Sequence, residues 1–572
     1  MKKLDRRSFL KIGGASLAGL AISRFDIPYL SYLSPKNALA MGSSNAWAFG
    51  VMSDTQWKLA AGGENTCATG IIDALNNQFV GHQCKFVIQV GDLADKEYVT
   101  DAVTGVVTRS MPTRAAHAQV LYDNGIGFFP VRGNHEASTT AAGELQTLFP
   151  QTQGNGAYVF GAGNFNSPVL GANGDALTGL SYSFDYNNVR CVLIDQFNRA
   201  DGSNYMPSPT KPTDYSNNTV DQVPWVDSRL SSHTGSDKHT FVFSHKNLIG
   251  QNHKDVLFGA NLTANPEARD TFITSCSNNG VRYCLGGHDH CHHRSLVSTT
   301  DKSTSVGQII TSSNSYKFYT PKAGDDGREN PVTQELYTIG YYIFTVDGPR
   351  VTVDFYSASH GGDYGSVSLL DIPSQFAFYL RERFGYSLNG DQYIVERGES
   401  YVGIEDSYNG TTAKILSGTN GNNETDYLTR PLAKTINTGW ADANTVPGAL
   451  SNIFSLWGMM DNLSLYNSTL TGLLPAADES TETDVYTLAM TYNPRKVRPS
   501  DLVSGRFVIV SKDDQEEWVG AVDLNTGGAK TFVHGPWKAK HGLGTYGVDP
   551  RTKTVWAVLN HEGDFALKLM NV

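Results

Sequence analysis

Lys85-Phe86-Val87-Ile88-Gln89-Val90-Gly91-Asp92-Leu93-Ala94-Asp95 is the stretch on which the fold turns. Residues 85–90 form a compact, β-branched apolar run that reads as a buried strand, and at Gly91 the chain passes straight into two carboxylates. The same order of strand and then polar block recurs along the chain. Ala46 to Ser53 runs into Ser53-Asp54-Thr55-Gln56, and Phe128-Phe129-Pro130-Val131 runs into Gly133-Asn134-His135-Glu136. Thr240 to Phe243 runs into Ser244-His245, and a fifth block reads Gly287-His288-Asp289-His290. Between the strands, Thr66 to Phe79 places Ile71, Ile72, Leu75 and Phe79 near helical spacing, and Arg114 to Asn124 also reads as helix. Cys191 to Ile194 is a further buried strand. Strands alternating with helices indicate a layered α/β core. In an open α/β sheet, residues just past the strand ends converge on a crevice at the carboxyl edge.

Each block says little alone. An Asp after a strand often caps a helix, Asn-His-Glu fits many loops, and His288 to His293 reads equally as a fortuitous imidazole patch. Together they bring carboxylates, imidazoles and amides to one edge, a donor set suited to Mn, Fe, Zn or Mg. A carboxylate shared by two cations keeps them close, and such a pair clamps a phosphoryl group and acidifies a bridging water.

The ordered set resembles the calcineurin-like metallophosphoesterase superfamily, whose pattern is Asp-x-His, Gly-Asp-x-x-Asp, Gly-Asn-His-Glu/Asp, a lone His, and Gly-His-x-His. The resemblance spans roughly residues 46–358, and Gln222-Val223-Pro224-Trp225 and the Val346-Asp347-Gly348 turn are also similar to the family. It implies a four-layer α/β/β/α sandwich holding two divalent or trivalent metal ions (Mn, Fe, Zn or Mg). Carried over by position, Asp92 bridges the metals, and Asp54, Gln56 and His290 belong to the first site. Asn134, His245 and His288 belong to the second. His135 matches the imidazole beside the leaving group, a general acid or transition-state stabiliser, with Asp95 orienting it or another ligand. Arg132 stands where its guanidinium either touches phosphate or forms a surface salt bridge. One departure matters: Gln56 replaces the usual His, a weaker donor for borderline ions. Asp95 stands where purple acid phosphatases carry Tyr, so a tyrosinate-bound ferric ion is not expected. A shifted register with His290 and His292 as ligands stays open beside the one starting at Gly287. His82, His117 and His253 read as ordinary histidines, with His253 placed to line the cleft.

The N-terminus reads as an address. Met1-Lys2-Lys3-Leu4-Asp5-Arg6-Arg7-Ser8-Phe9-Leu10-Lys11 precedes a mildly apolar run from Ile12 to Ile22 and an Ala38-Leu39-Ala40 cleavage pattern. The Arg6-Arg7 pair resembles a bacterial twin-arginine signal, which implies the twin-arginine export machinery as a partner and a periplasmic or secreted destination. The apolar run is short for a membrane span, so no stable span is expected after cleavage. Net charge is −11, and residues 1–40 are basic, so the body is more acidic still. That body lacks the basic footprint of nucleic-acid binding. Cys67 and Cys84 flank a predicted helix and are placed to bridge, and the other cysteines are expected as buried thiols or disulfides.

Ala137 to Ser183 is Gly/Asn/Thr-rich and reads as a long loop excursion. Tyr341 to Val346 and Val351 to Phe355, joined at Asp347-Gly348, read as a β-hairpin. The expected domains are a signal over 1–40, a metallophosphoesterase domain over 45–360 and a β-rich module of unknown role over 365–572. The leading functional expectation is an exported phosphoesterase cleaving a small phosphate mono- or diester by metal-activated hydroxide attack. Two alternatives stand beside it. One is a non-catalytic phosphate binder with a degenerate first site, motivated by Gln56. The other is cell-surface or glycan binding through the C-terminal module, where Trp440, Trp457, Trp518 and Trp537 are either stacking surfaces or core. Motifs of the 5′-nucleotidase C-terminal domain are absent from the sequence, so nothing supports nucleotide specificity.

Overall fold

A computed structural model describes residues 45–57, 66–170, 175–197, 216–322, 326–359, 378–422, 424–460, 482–513, 515 and 517–570. The expected signal lies outside these residues. Among them no helix is long and apolar enough to cross a membrane.

Two sheets face one another in the first half. One has six strands in the order Phe378–Ser387, Arg350–Ser359, Thr338–Asp347, Trp47–Met52, Phe86–Val90, Gly127–Val131. Its last three strands run parallel. The other has eight strands, and at its centre Val189–Ile194, His239–Ser244, Tyr283–Gly286 and Ser305–Ile310 are successive parallel neighbours.

The period-two alternation of each strand sorts side chains into layers. Phe49, Val51, Phe86, Ile88 and Phe129 point between the sheets and meet Cys191, Leu193, Phe241, Phe243 and Leu285 there. The Phe49 ring stacks on Phe86 and on Phe344, each at 4.8 Å between centroids. Ala48, Met52, Val87 and Phe128 point outward, against Ile71, Leu75 and Phe79 of the helix Thr69–Gly81 and Leu145 of the helix Thr139–Leu148. On the far side Val192, Ile194 and Val242 pack against Val226 and Leu230 of the helix Ser216–Ser231 and Phe272 and Ile273 of the helix Pro266–Asn278. The four α/β/β/α layers follow from this sorting.

Two expectations are corrected here. The excursion over 137–183 is not a plain loop, because it contains the helix Thr139–Leu148. Ser138 caps that helix by accepting the Ala141 N–H at 3.1 Å. The helix is short and rich in Ala and Thr, which left only a weak apolar stripe to read. Cys67 and Cys84 do not bridge: all six cysteines are buried and none is joined in a disulfide, with the sulfurs of Cys276 and Cys284 4.0 Å apart.

The boundary expected near residue 365 falls outside the described residues, and the strand after it, Phe378–Ser387, adds to the edge of the first sheet. Beyond it two further six-stranded sheets enclose one apolar core of Ile436, Trp440, Leu456, Tyr486, Leu488, Val555, Leu559, Phe565 and Leu567. Trp440 and Trp457 are buried and Trp518 and Trp537 partly so, packed against core residues. Trp440 and Trp457 are therefore core, which removes them as stacking surfaces. Buried ion pairs join this module to the first sandwich. Arg350 donates to Asp564 at 3.0 Å, and Arg430 donates to Glu329 at 2.9 Å.

Candidate metal centre

The centre forms where the parallel strands end. Trp47–Met52 delivers Asp54, Phe86–Val90 delivers Asp92, and Gly127–Val131 delivers Asn134 and His135 on a 3₁₀ turn. From the facing sheet, His239–Ser244 delivers His245, and Tyr283–Gly286 delivers His288 and His290. The backbone is left-handed at Asp54 (φ 51°), Asp92 (φ 44°), His288 (φ 72°) and His290 (φ 55°). L-residues seldom adopt this conformation, and its repetition at the chemistry-bearing positions shows that the surrounding structure imposes it. Two glycines allow the close approach. A Cβ on Gly133 would lie 2.0 Å from Asp92 Oδ1, and one on Gly287 would lie 2.5 Å from Asp54 Oδ2.

Two groups of donor atoms result, Asp92 with His245 and His288, and Asp54 with Asp92 and His290. In each, the ligand atoms lie within 4.8 Å of one another, and every member is buried. Asp92 belongs to both groups.

The tautomers decide whether a cation fits. His245 Nδ1 lies 3.1 Å from the Val90 carbonyl, which can only accept, so that nitrogen carries its hydrogen. In the neutral ring Nε2 is then a lone pair, yet it faces Asn134 Oδ1 at 3.1 Å and Asp92 Oδ1 at 3.3 Å. His290 repeats the arrangement: Nδ1 lies 3.0 Å from the Lys317 carbonyl, and Nε2 faces Asp54 Oδ1 at 3.2 Å. Lone pairs aimed at carboxylate oxygens require a cation between them, either a proton or a metal. Without a metal the protein answers with a proton. Burial opposes charge on His245, but the Asp92 carboxylate overrides it and pushes the imidazole up to about 9. Burial likewise opposes ionisation of Asp92, and His245 and His135 hold it well below the usual range all the same. His288 is driven the other way, down to about 3, by burial and by His253 stacked on it at 3.9 Å, which leaves it neutral. The donor set fits divalent cations.

Gln56 is turned differently from the expectation that its oxygen ligates. Its Nε2 donates to Asp92 Oδ2 at 2.7 Å, and its Oε1 is buried without a hydrogen-bond partner among the described residues. A buried amide oxygen with no donor is itself an acceptor awaiting a cation or water. Rotating the amide by half a turn would bring that oxygen to the Asp92 side.

His135 stands at the rim. Its N–H donates to Asp92 Oδ1 at 3.0 Å, and its Nδ1 lies 2.5 Å from the Asp95 carbonyl, so Nε2 is the nitrogen left for other partners, 3.9 Å from Asp92 Oδ2. Burial holds this imidazole below its ordinary range despite Asp92. Asp95 thus orients His135 through its main chain, while its carboxylate binds the Lys317 ammonium and accepts from Tyr316 Oη at 3.3 Å.

Several supporting residues escaped sequence reading. Glu136 is buried and accepts the Ala94 N–H at 2.9 Å and the Gly133 N–H at 3.1 Å, tying two ligand loops together. Burial and the neighbouring Asp92 push its carboxyl up to about 8. Asp289, between the two ligand histidines, accepts the N–H groups of Gln251 (2.9 Å) and His253 (2.8 Å) and faces His253 Nδ1 at 3.0 Å. Asp255 pairs with buried Lys246 and lies 3.4 Å from His288 Nε2. A signal existed for Glu136 and Asp289, which sit inside the motif blocks. Nothing local marked Asp255, Lys246 or Lys317.

Two other readings are corrected. Arg132 touches neither substrate space nor bulk water: it is fully buried and donates bidentately to Asp195 at 2.6 and 3.0 Å. The shifted register fails because His292 is engaged by Tyr342 Oη (2.7 Å) and Glu382 (3.1 Å), and His293 by Glu329 (3.0 Å). Strand alternation from His292 onward sends the two rings to opposite faces, each to its own carboxylate, Glu382 or Glu329.

The chain is similar to a dimetal phosphatase from Danio rerio at 14% identity, covering 54% of this chain and 95% of that one with a TM-score of 0.33. It is similar to PhoD at 15% identity (60% and 70% covered, TM-score 0.37) and to the purple acid phosphatase PPD1 of yellow lupin, Lupinus luteus, at 11% identity (61% and 54% covered, TM-score 0.36). Comparison with curated proteins gave no match. The family model described as calcineurin-like phosphoesterase matches residues 48–292, a stretch that contains every metal-directed residue of the centre from Asp54 to His290.

Proposed function

We propose that this chain is an exported hydrolase of phosphate esters working at a dinuclear metal centre. The observation that carries the reading is the pair of imidazoles, His245 and His290, whose Nδ1 atoms are tied to backbone carbonyls and whose Nε2 atoms face Asp92 and Asp54 respectively, within two donor groups that have Asp92 in common. The family match over 48–292 supports the same chemistry. Asp54, Asp92 and His290 would hold one ion, with Gln56 joining after its amide turns. Asp92, Asn134, His245 and His288 would hold the other. Bound there, cations supply positive charge that polarises a phosphoryl group and makes water a better nucleophile at neutral pH.

The chain's own residues do the rest. Hydrogen bonds to Val90 and Lys317 fix the ring planes of His245 and His290. The Asp95 carbonyl fixes His135 so that Nε2 faces the reacting ester. A phosphate dianion beside that ring adds negative charge and favours the protonated form, which then donates from Nε2 to the leaving oxygen. Export is proposed from the first forty residues, and replacing Arg6-Arg7 by Lys-Lys is expected to retain the protein in the cytoplasm of a bacterial host, as read by fractionation.

One observation favours a second reading. With its nitrogen on Asp92, Gln56 resembles a hydrogen-bonding neutral side chain more than a ligand, as in a binder that keeps one metal. Elemental analysis with turnover assays separates the two. Two transition-metal equivalents per chain and cleavage of an aryl monophosphate or a bis-aryl phosphate are expected. One tight equivalent with neither substrate cleaved would favour the binder.

A further inference from the structure

The residues of the centre differ in how far they reach solvent. The side chains of Asp54, His245, Asp92 and His290 are 0–3% exposed, whereas His135 is 19% and Lys317 16% exposed. Near His288, His253 and Asp255 are partly exposed and Lys254 is exposed, while Lys246 is buried against Asp255. The Lys317 ammonium lies on the His135 side of the centre, on the carboxylate of Asp95.

Lys317 lies outside the stretch matched by the family model, yet its loop is fastened to the centre. Its carbonyl accepts from His290 Nδ1 at 3.0 Å and from Ser313 Oγ at 2.8 Å, and Asn314 Nδ2 donates to the Ser53 carbonyl at 3.0 Å. The ammonium is thereby held on Asp95, beside the ring whose Nδ1 uses the Asp95 carbonyl. An ammonium has three N–H donors, and one carboxylate oxygen takes one of them. Tyr316 Oη, at 3.3 Å from the same oxygen, still satisfies Asp95 when the ammonium leans toward a ligand.

We infer that Lys317 is a specificity-determining residue that reads the second negative charge of a phosphate monoester, so that the centre prefers monoesters to diesters. This rests on the phosphoesterase reading above. A monoester dianion brings one more anionic terminal oxygen than a diester, so a cation at the rim favours the monoester over the diester.

The experiment compares the full-length, metal-loaded wild type with Lys317→Met and Lys317→Arg on an aryl monophosphate and a bis-aryl phosphate, alongside calorimetric titration with inorganic phosphate and with dimethyl phosphate. A charge-assisted hydrogen bond predicts that Lys317→Met loses about 10- to 100-fold in kcat/KM on the monoester and under about 3-fold on the diester. Lys317→Arg is expected to recover most of the loss, and phosphate binding to weaken in Lys317→Met while dimethyl phosphate binding holds. Equal losses on both substrates would mean that Lys317 acts only by holding Asp95 and His135, and would overturn the inference. So would no change in either. A wild type that cleaves neither substrate but binds phosphate through Lys317 would sink the hydrolase reading while leaving the recognition role standing.

Discussion

The molecule contains two sandwiches built on the same alternation, and among the described residues only the first gathers groups of metal-directed donors. In the first, consecutive strands run parallel, so Asp54, Asp92 and Asn134 leave their sheet at one edge, and His245, His288 and His290 leave the facing sheet at the same edge. In the second, nearly every neighbouring pair is antiparallel, as in Glu482–Thr491 with Thr554–His561 and Phe507–Lys512 with Gly563–Leu569. Antiparallel strands return through turns at alternating ends, so no single edge collects loop residues, and the space between the sheets fills with Trp440, Leu456, Leu488 and Leu567. Connectivity, more than composition, decides where a reactive cluster can form.

The largest expected effect breaks the first sandwich's chemistry and leaves its fold. Asp92→Asn removes the carboxylate common to both donor groups, and a fall of at least about 10³-fold in kcat is expected, with loss of metal by elemental analysis. The metal-free variant should stay folded but unfold at a lower midpoint, because the carboxylate that pairs with protonated His245 is gone. Retained turnover would overturn the shared role of Asp92. The converse test breaks the second sandwich's packing. Trp440→Ala empties a fully buried site and should cost about 3–5 kcal/mol in denaturant unfolding. Metal content measured well below the transition should be unchanged. If metal is lost as well, the division of labour between the sandwiches is wrong.

The same contrast explains what was legible in the sequence. The blocks around Asp92, Asn134 and His288 were readable because parallel strands end in short, dense motifs. Strand alternation then placed Phe49 and Phe86 inward and Ala48 and Val87 outward, as the buried runs implied. The helix Ser216–Ser231 was hidden by Pro224 and a polar face, and Thr139–Leu148 by its small residues. Lys317 reaches the centre from a loop fastened to Ser53 and Asp95, more than two hundred residues away along the chain, and Asp255 meets His288 only when the strands between them are placed, so no local pattern encodes either contact. Arg132 was legible as a cation near the site, but its partner Asp195 becomes a neighbour only when the two sheets pack.

A smaller effect tests whether the sandwiches are coupled. Arg430, in a loop of the second, donates to Asp426 and to Glu329 of the first. Glu329 also accepts from Gln251 Nε2 at 3.0 Å, and the Gln251 N–H donates at 2.9 Å to Asp289, between the ligand histidines. Despite burial, His293 and Arg430 hold the Glu329 carboxyl down to about 2. Arg430→Met leaves that carboxylate buried with one cationic partner fewer. A loss of about 2–4 kcal/mol is expected, with weaker metal binding at the His288 position. Adding Glu329→Gln should recover much of the stability. If Arg430→Met changes stability alone, the hydrogen-bond path to Asp289 carries no influence on the centre.

The smallest effect centres on the second sandwich and is a pH dependence. Glu562 is buried and accepts the N–H groups of Gly458, Met459 and Met460 at 2.8, 2.9 and 3.1 Å. Burial pushes its carboxyl up to about 7, against the pull of those donors and of Arg383. The folded chain therefore holds a proton that the unfolded chain releases near the ordinary glutamate value of 4.5. Its stabilising contribution is complete below that value and is lost as pH rises through about 7, a change on the order of 3 kcal/mol for the whole interval. Glu562→Gln, which stays neutral and keeps an oxygen for the three donors, should flatten that part of the profile. Urea midpoints at pH 5 and pH 8 are the measurement. The wild type should lose stability relative to the variant on going to pH 8, and an unchanged difference between the two would show that the donors keep the carboxylate ionised throughout. In the first sandwich a buried carboxylate beside imidazoles is answered by cations, whereas here a carboxylate among amides is answered by its own proton.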